Sequence, residues 1–156
     1  MAAKILEMKF DPKTIKHLGV HQYSTLPPVI SELVSNCYDA EAEKVTINLN
    51  DTNATKQIII SDNGHGMSFD EINDSFLLIG RNRRLDSNSQ KSKNDKRFVV
   101  GKKGIGKLSF FGIAEEIEIT TTQNHIENCF LMDWSVIEEN GEQGKSYNPV
   151  SRPEIG

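Results

Sequence analysis

Glu32, Asn36 and Asp39 recur at helical spacing in Glu32-Leu33-Val34-Ser35-Asn36-Cys37-Tyr38-Asp39-Ala40, and the chain later reads Asp62-Asn63-Gly64-His65-Gly66-Met67. At about 100° per residue the three polar residues share one narrow stripe of a helix, with Ile30, Leu33, Val34 and Cys37 nearly opposite. One face can pack while the other presents chemistry. Glu32 and Asn36 lie one turn apart, so a carboxylate and an amide oxygen can address the same small volume. Glu32 could take a proton from an attacking water, while the Asn36 oxygen fills one place in an octahedral magnesium shell completed by phosphate oxygens and waters. Taken alone, the same pattern also describes a solvated helix face.

Asp62 follows a strand-like run, and Gly64 and Gly66 permit positive φ and close approach of backbone to a ligand. An ionised Asp62 accepts hydrogen bonds, which suits the exocyclic amine of adenine, a donor that guanine lacks at that ring position. The plain alternative is an Asn-Gly turn joining strand to helix, with His65 a loop residue. Further on, Gly101, Gly104, Ile105, Gly106 and Lys107 belong to a glycine-rich run ahead of a helix, whose free N–H groups and positive end favour phosphate. Lys107 adds a point charge. This run also fits G-x-x-x-x-G-K after the strand-like Phe98, Val99 and Val100, but a P-loop needs Ser or Thr next, and Leu108 stands there.

The scaffold expected to position these residues is a single α/β two-layer sandwich. A short helix is expected over residues 12–18, and Pro27-Pro28 opens the main helix, which runs to about Glu43. Alternation of Val45, Ile47 and Leu49 predicts a strand, followed through Asp51-Thr52-Asn53 by a second over 57–61. Ser68-Phe69-Asp70-Glu71 has capping-box spacing and starts a helix to about Ile79, stopped at Gly80. Residues 81–96 are charged and rich in Ser and Asn, which predicts a mobile loop, with order resuming at Phe98. A short helix over 108–114 and a hairpin of long strands over 117–121 and 129–136 complete the expectation. Phe110, Phe111 and Trp134 are expected in the core. Residues 149–156 resemble the start of another strand, so the chain is expected to be one domain, 1–156, at the N-terminal end of a longer protein.

With 156 residues, 37% hydrophobic and 26% charged, the chain has the size and composition of one soluble globular domain, and no apolar run approaches the ~20 residues that span a bilayer. No membrane partner is expected. The start lacks the features of a secretory signal, giving a cytoplasmic expectation. Cys37 and Cys129 are read as buried thiols rather than a disulfide or a zinc site. The net charge of −4 conceals an asymmetry: residues 80–107 hold ten Lys or Arg against two Asp, leaving −12 on the remainder. Part of that positive charge suits a triphosphate. The basic stretch bounded by Arg81 and Lys103 could also contact nucleic acid, although a solvated loop explains it too.

In order and spacing, E-x-x-x-N-x-x-D-A at 32–40, D-x-G-x-G-M at 62–67 and G-x-x-G-x-G at 101–106 resemble the N box and two glycine boxes of the GHKL ATPases. That superfamily includes gyrase-type topoisomerases, heat-shock chaperones, histidine kinases, MutL-type repair proteins and MORC-type ATPases. The resemblance covers roughly residues 25–122 and is nearest in style to chaperone- and MORC-type members. It implies the Bergerat fold, an α/β (α+β) sandwich whose mixed, mostly antiparallel sheet backs helices, with ATP beneath a mobile lid over 80–107. It also implies ATP and Mg2+ as cofactors, with Glu32 as general base and Asn36 as magnesium ligand. Asp39 would support the pocket, Asp62 would read adenine, Gly64 and Gly66 would form the turn beneath the nucleotide, and Met67 would line the base. Gly101, Gly104 and Gly106 would form the hinge and phosphate cradle.

The D-A ending of the N box favours the ATP-hydrolysing branches over histidine kinases, and Gly19 between His17 and His21 makes a poor phospho-accepting helix. Lys107 departs from the chaperone pattern, so its phosphate role rests on charge and position. The family's later Thr-bearing strand would fall beyond Gly156. The resulting expectation is Mg-dependent ATP binding and slow hydrolysis to ADP and phosphate, coupled to lid closure and ATP-dependent homodimerisation of a larger protein. The alternatives are a nucleotide-gated DNA- or RNA-binding module and a histidine-kinase-like phosphotransferase.

Overall fold

The computed structural model describes residues 25–52, 56–78, 91–100, 110–143 and 145–151. The helix expected over 12–18, the stop at Gly80, the segment 81–90 and the glycine-rich residues Gly101, Gly104, Ile105, Gly106 and Lys107 lie outside them. Helix α1 spans Leu26–Asp39 and opens on Pro27 and Pro28, where a missing N–H removes no intrahelical bond. It ends four residues before the expected Glu43. Ala42 N donates to Cys37 O at 3.0 Å and Glu41 N to Tyr38 O at 3.0 Å. Glu41 sits at φ 63° in the left-handed region, so the helix closes in a Schellman turn without its usual glycine. Val29 and Cys37 are buried on its packed face, whereas Val34, expected there too, is exposed.

The chain then forms an antiparallel pair, β1 (Val45–Asp51) and β2 (Lys56–Asp62), in which Ile47 faces Ile60 and Leu49 faces Ile58. The register sets Asp62, the last residue of β2, opposite Val45. Ser68 and Glu71 make the expected capping box, with Glu71 N donating to Ser68 Oγ at 3.2 Å and Ser68 N to Glu71 Oε2 at 2.9 Å. The helix it starts, α2 (Phe69–Glu71), gives way at once to a π-helical turn over Ile72–Phe76. Leu77 N bonds Ile72 O at 2.7 Å, and this five-residue step brings Ile72 and Leu77 to the same core, both fully buried.

Strands β3 (Glu116–Gln123) and β4 (Ile126–Asp133) form the expected hairpin. Asn124 and His125 close it, both at positive φ as a type I′ turn demands. Residues 134–136, expected to continue β4, are helical instead. Asp133 accepts from Ser135 N at 2.8 Å and so caps α3 (Trp134–Glu142). The short β5 (Val150–Ser151) adds to β4, giving the order β3-β4-β5. Every pairing between the described strands is antiparallel, and helices with these open sheets make the α/β two-layer arrangement.

Ile72, Leu77, Phe111, Phe130, Met132, Ile137 and Tyr147 form the core against this sheet. Phe110 and Phe111 are buried, and Phe111 packs on Trp134 with ring centroids 5.1 Å apart. Both cysteines are free thiols. No helix among the described residues is long and apolar enough to cross a membrane. Phe130 is fully buried and meets Phe76 edge-on at 6.0 Å. Phe130→Ala is therefore expected to lower unfolding free energy by about 3–5 kcal/mol in urea titration, and Leu49→Ala, at an exposed position, by less than about 1 kcal/mol.

Candidate functional site

The site is built where α1 ends and β2 ends. Asp62 Oδ1 accepts from Gly64 N at 2.7 Å, folding the loop back on its own carboxylate. The Cys37 thiol, reaching across from α1, donates to Asp62 Oδ2 at 3.6 Å. Burial first, and the Asp62 carboxylate second, push that thiol up to about 11, so it stays protonated as a donor. Asn63 Oδ1 accepts from Glu43 N at 2.9 Å and Lys44 N at 2.8 Å, fastening the loop to the chain that leaves α1. His65 N donates to Ala40 O at 2.9 Å. These contacts leave no room at Gly64, where a Cβ would stand 2.6 Å from Ala40 O.

On its other side the loop meets β3. Gly66 adopts φ +64°, and a Cβ there would collide with the Thr122 carbonyl oxygen. Met67 N donates to Thr121 Oγ1 at 2.9 Å, and Gln123 Nε2 donates to Gly66 O at 3.1 Å and to Glu71 Oε2 at 2.9 Å. The Met67 side chain packs against the core. Glu32, Asn36 and Asp39 all lie on α1 and are half-buried. By helix rise Asn36 stands about 4.5 Å and Glu32 about 10 Å along the axis from Asp39. Neither the Glu32 carboxylate nor the Asn36 carboxamide has a hydrogen-bond partner among the described residues.

The structure thus brings Asp62 and Gly64 to the end of α1, where Asp39 lies, with Asn36 and Glu32 continuing back along the same helix, while Gly66 and Met67 meet β3 and the core. It also adds a strap, residues 91–100, that carries part of the basic segment. Val100 N donates to Asp39 Oδ1 at 2.7 Å. Arg97 donates to Tyr38 O at 3.2 Å and Ala42 O at 2.8 Å, and its guanidinium lies 4.7 Å from the centre of the Tyr38 ring. Asn94 donates twice to Glu41, and Lys93 bonds Glu71. Residues 91–96, the described part of the run expected to be a mobile loop, thus make hydrogen bonds to the end of α1 and to Glu71, with Ser92 buried.

Thr121, Gln123 and Glu41 were not among the residues the sequence singled out, and Cys37 was read only as a buried thiol, not as a partner of Asp62. Thr121 and Gln123 lie more than fifty positions from the loop they bind, and no local pattern links them. Glu41 reads as one more helical residue, since nothing but its φ marks the turn.

Hydrogen bonds from Ser92 and Asn94, with Lys96 nearby, hold Glu41 down to about 2. For Glu71, burial raises the value, but hydrogen bonds from Lys93, Ser68 N and Gln123 outweigh it and bring it to about 2. Both native values lie below the ordinary 4.5. Their stabilisation is therefore complete above that value and is lost as pH falls towards 2. Thermal melts between pH 5 and pH 2.5 are expected to show a falling Tm, with a shallower fall in Glu71→Gln.

Residues 23–153 match the family described as histidine kinase-, DNA gyrase B- and HSP90-like ATPases. The chain is 36% identical, over 95% of its length, to a Herpetosiphon aurantiacus protein assigned by its name to type II restriction enzymes, HgiDII, and covers 23% of that protein. It is 29% identical over 80% of its length to the chaperone protein HtpG of Natranaerobius thermophilus, covering 19% of it. To HtpG of Halalkalibacterium halodurans it is 25% identical over 96% of its length, covering 26%. The chain spans about a quarter or less of the length of each relative. With a match over most of its residues and the loop geometry described above, the chain belongs to the histidine kinase-, DNA gyrase B- and HSP90-like ATPase family.

Proposed function

We propose that this chain binds ATP with Mg2+ and hydrolyses it slowly to ADP and phosphate, and that lid closure on the nucleotide drives dimerisation of a larger protein. The observation that carries this reading is the placement of Asp62. Its carboxylate is oriented by Gly64 N and the Cys37 thiol, at the end of the helix that bears Asp39, Asn36 and Glu32. A fixed acceptor of this kind suits the exocyclic amine of adenine. The donor set suits magnesium as well: Asn36 offers a hard amide oxygen that no described residue engages, and Glu32 offers a carboxylate one turn away.

Bound there through Asn36, Mg2+ would offset the charge of the transferring phosphate and orient its oxygens. Glu32 would orient the attacking water and accept its proton, since its carboxylate is free of other described partners. Gly64 and Gly66 let the loop backbone run against Ala40 and Thr122, so no side chain intrudes beneath the base. Gly101, Gly104, Ile105, Gly106 and Lys107 would supply backbone donors and a positive charge to the phosphates.

A second reading gives the larger protein a nucleic-acid partner. The likeness to a protein named as a restriction enzyme favours it. The strap weakens it as far as residues 91–100 go, because Lys93, Lys96 and Arg97 already face Glu71, Glu41 and backbone carbonyls. If the reading holds, fluorescence anisotropy is expected to show duplex binding that weakens steeply between 50 and 200 mM salt, roughly as the number of phosphates contacted.

For the leading reading, Glu32→Ala is expected to lower kcat by about 10²-fold or more while the Kd for ATP stays within about threefold. Retained hydrolysis would overturn the role of Glu32. Calorimetry is expected to show binding of ATP but not GTP, weakened roughly 10- to 100-fold in Asp62→Asn, the loss of one charged hydrogen bond. Equal binding of GTP would overturn the role of Asp62.

A further inference from the structure

Glu41 combines three properties that rarely coincide. It occupies a left-handed position at φ 63°, where glycine is the unstrained choice. Its side chain is only 4% exposed. Its carboxylate is also engaged by one segment: Asn94 N and Asn94 Nδ2 each donate at 2.8 Å, and Lys96 Nζ stands 3.8 Å away. A non-glycine residue persists in a strained conformation when its surroundings over-determine it, and such residues cluster at functional sites.

What the carboxylate holds lies directly before the glycine-rich run. Residues 92–97 are fastened to Glu41, and Arg97 adds the carbonyls on either side of it, those of Tyr38 and Ala42. Val100, the residue before Gly101, is bonded to Asp39, two positions upstream of Glu41. The strap therefore crosses the end of α1 with its exit fixed beside the polar stripe. With Glu41 removed, the Asp39 contact would have to order that exit with less help, and the missing order would have to be supplied on nucleotide binding.

We propose that Glu41 is a positioning residue for the nucleotide site, anchoring residues 92–97 across the end of α1 so that Val100 is held at Asp39. The inference rests on the ATP-binding reading above and adds to it a residue outside the three motifs. Glu41 touches neither base nor phosphate; it acts through the strap. Ordering by the anchor precedes chemistry, so its loss weakens binding far more than turnover.

Glu41→Gly removes the carboxylate while relieving the backbone, and Asn94→Ala breaks the same contact from the strap without altering α1. Hydrogen exchange on the full chain is expected to show amides of residues 92–97 exchanging at least about tenfold faster in both variants, with β3 and β4 unchanged. In steady-state assays KM for ATP is expected to rise about five- to twentyfold with kcat changed less than about twofold, and Glu41→Gln, which keeps an acceptor for Asn94, to recover most of the loss. Unchanged exchange in 92–97 would overturn the anchor. An equal fall of kcat and Tm in all three variants would reduce Glu41 to a general structural residue and overturn the positioning role. If the unaltered chain bound no ATP, the nucleotide role would fall with the reading above, while the exchange result would still decide whether Glu41 anchors the strap.

Discussion

The described structure hangs on the loop of residues 62–67 being held from both sides. On one side, Ala40 O takes His65 N and the Asn63 side chain takes the amides of Glu43 and Lys44. On the other, Thr121 Oγ1 takes Met67 N and Gln123 takes Gly66 O. Backbone amides that would otherwise be stranded at the foot of a helix and the end of a strand are satisfied by this one segment. It links the two-stranded hairpin to the three-stranded sheet and fixes where Asp62 points. Close approach of backbone to backbone is what makes both links possible, and it requires glycine at positions 64 and 66.

Much of this was legible because the signals were local. Pro27-Pro28 marks the start of α1, and the hydroxyl and carboxylate of Ser68 and Glu71 satisfy each other's amides three residues apart. The alternation of Val45, Ile47 and Leu49 reports a strand, and β1 forms there, although Ile47 and Leu49 stay exposed; alternating burial is seen instead in β3. The polar stripe of α1 was readable for the same reason, since helical periodicity places Glu32, Asn36 and Asp39 without reference to anything distant.

What escaped the sequence depended on partners far along the chain or on conformations that any residue type conceals. The end of α1 was misplaced because its left-handed residue is Glu41 rather than glycine, and the contacts that tolerate it come from Ser92, Asn94 and Lys96. The π-turn after Glu71 answers to the core, which needs Ile72 and Leu77 on one side. Beyond Asp133 an apolar run that suits a strand became α3, because the aspartate caps the helix with its own side chain. The charge excess of the basic segment was plain in the sequence, but its destination was not: within the strap it neutralises carboxylates and carbonyls of the same chain.

The meeting of Gly66 with the Thr122 carbonyl bears on how this module can vary. Two segments more than fifty positions apart share one packing contact with no tolerance for a methyl group, so neither is a transplantable unit by itself. A chimera that imports the loop from a relative must bring its own third strand, and an insertion that lengthens β3 or shifts its register would evict the loop.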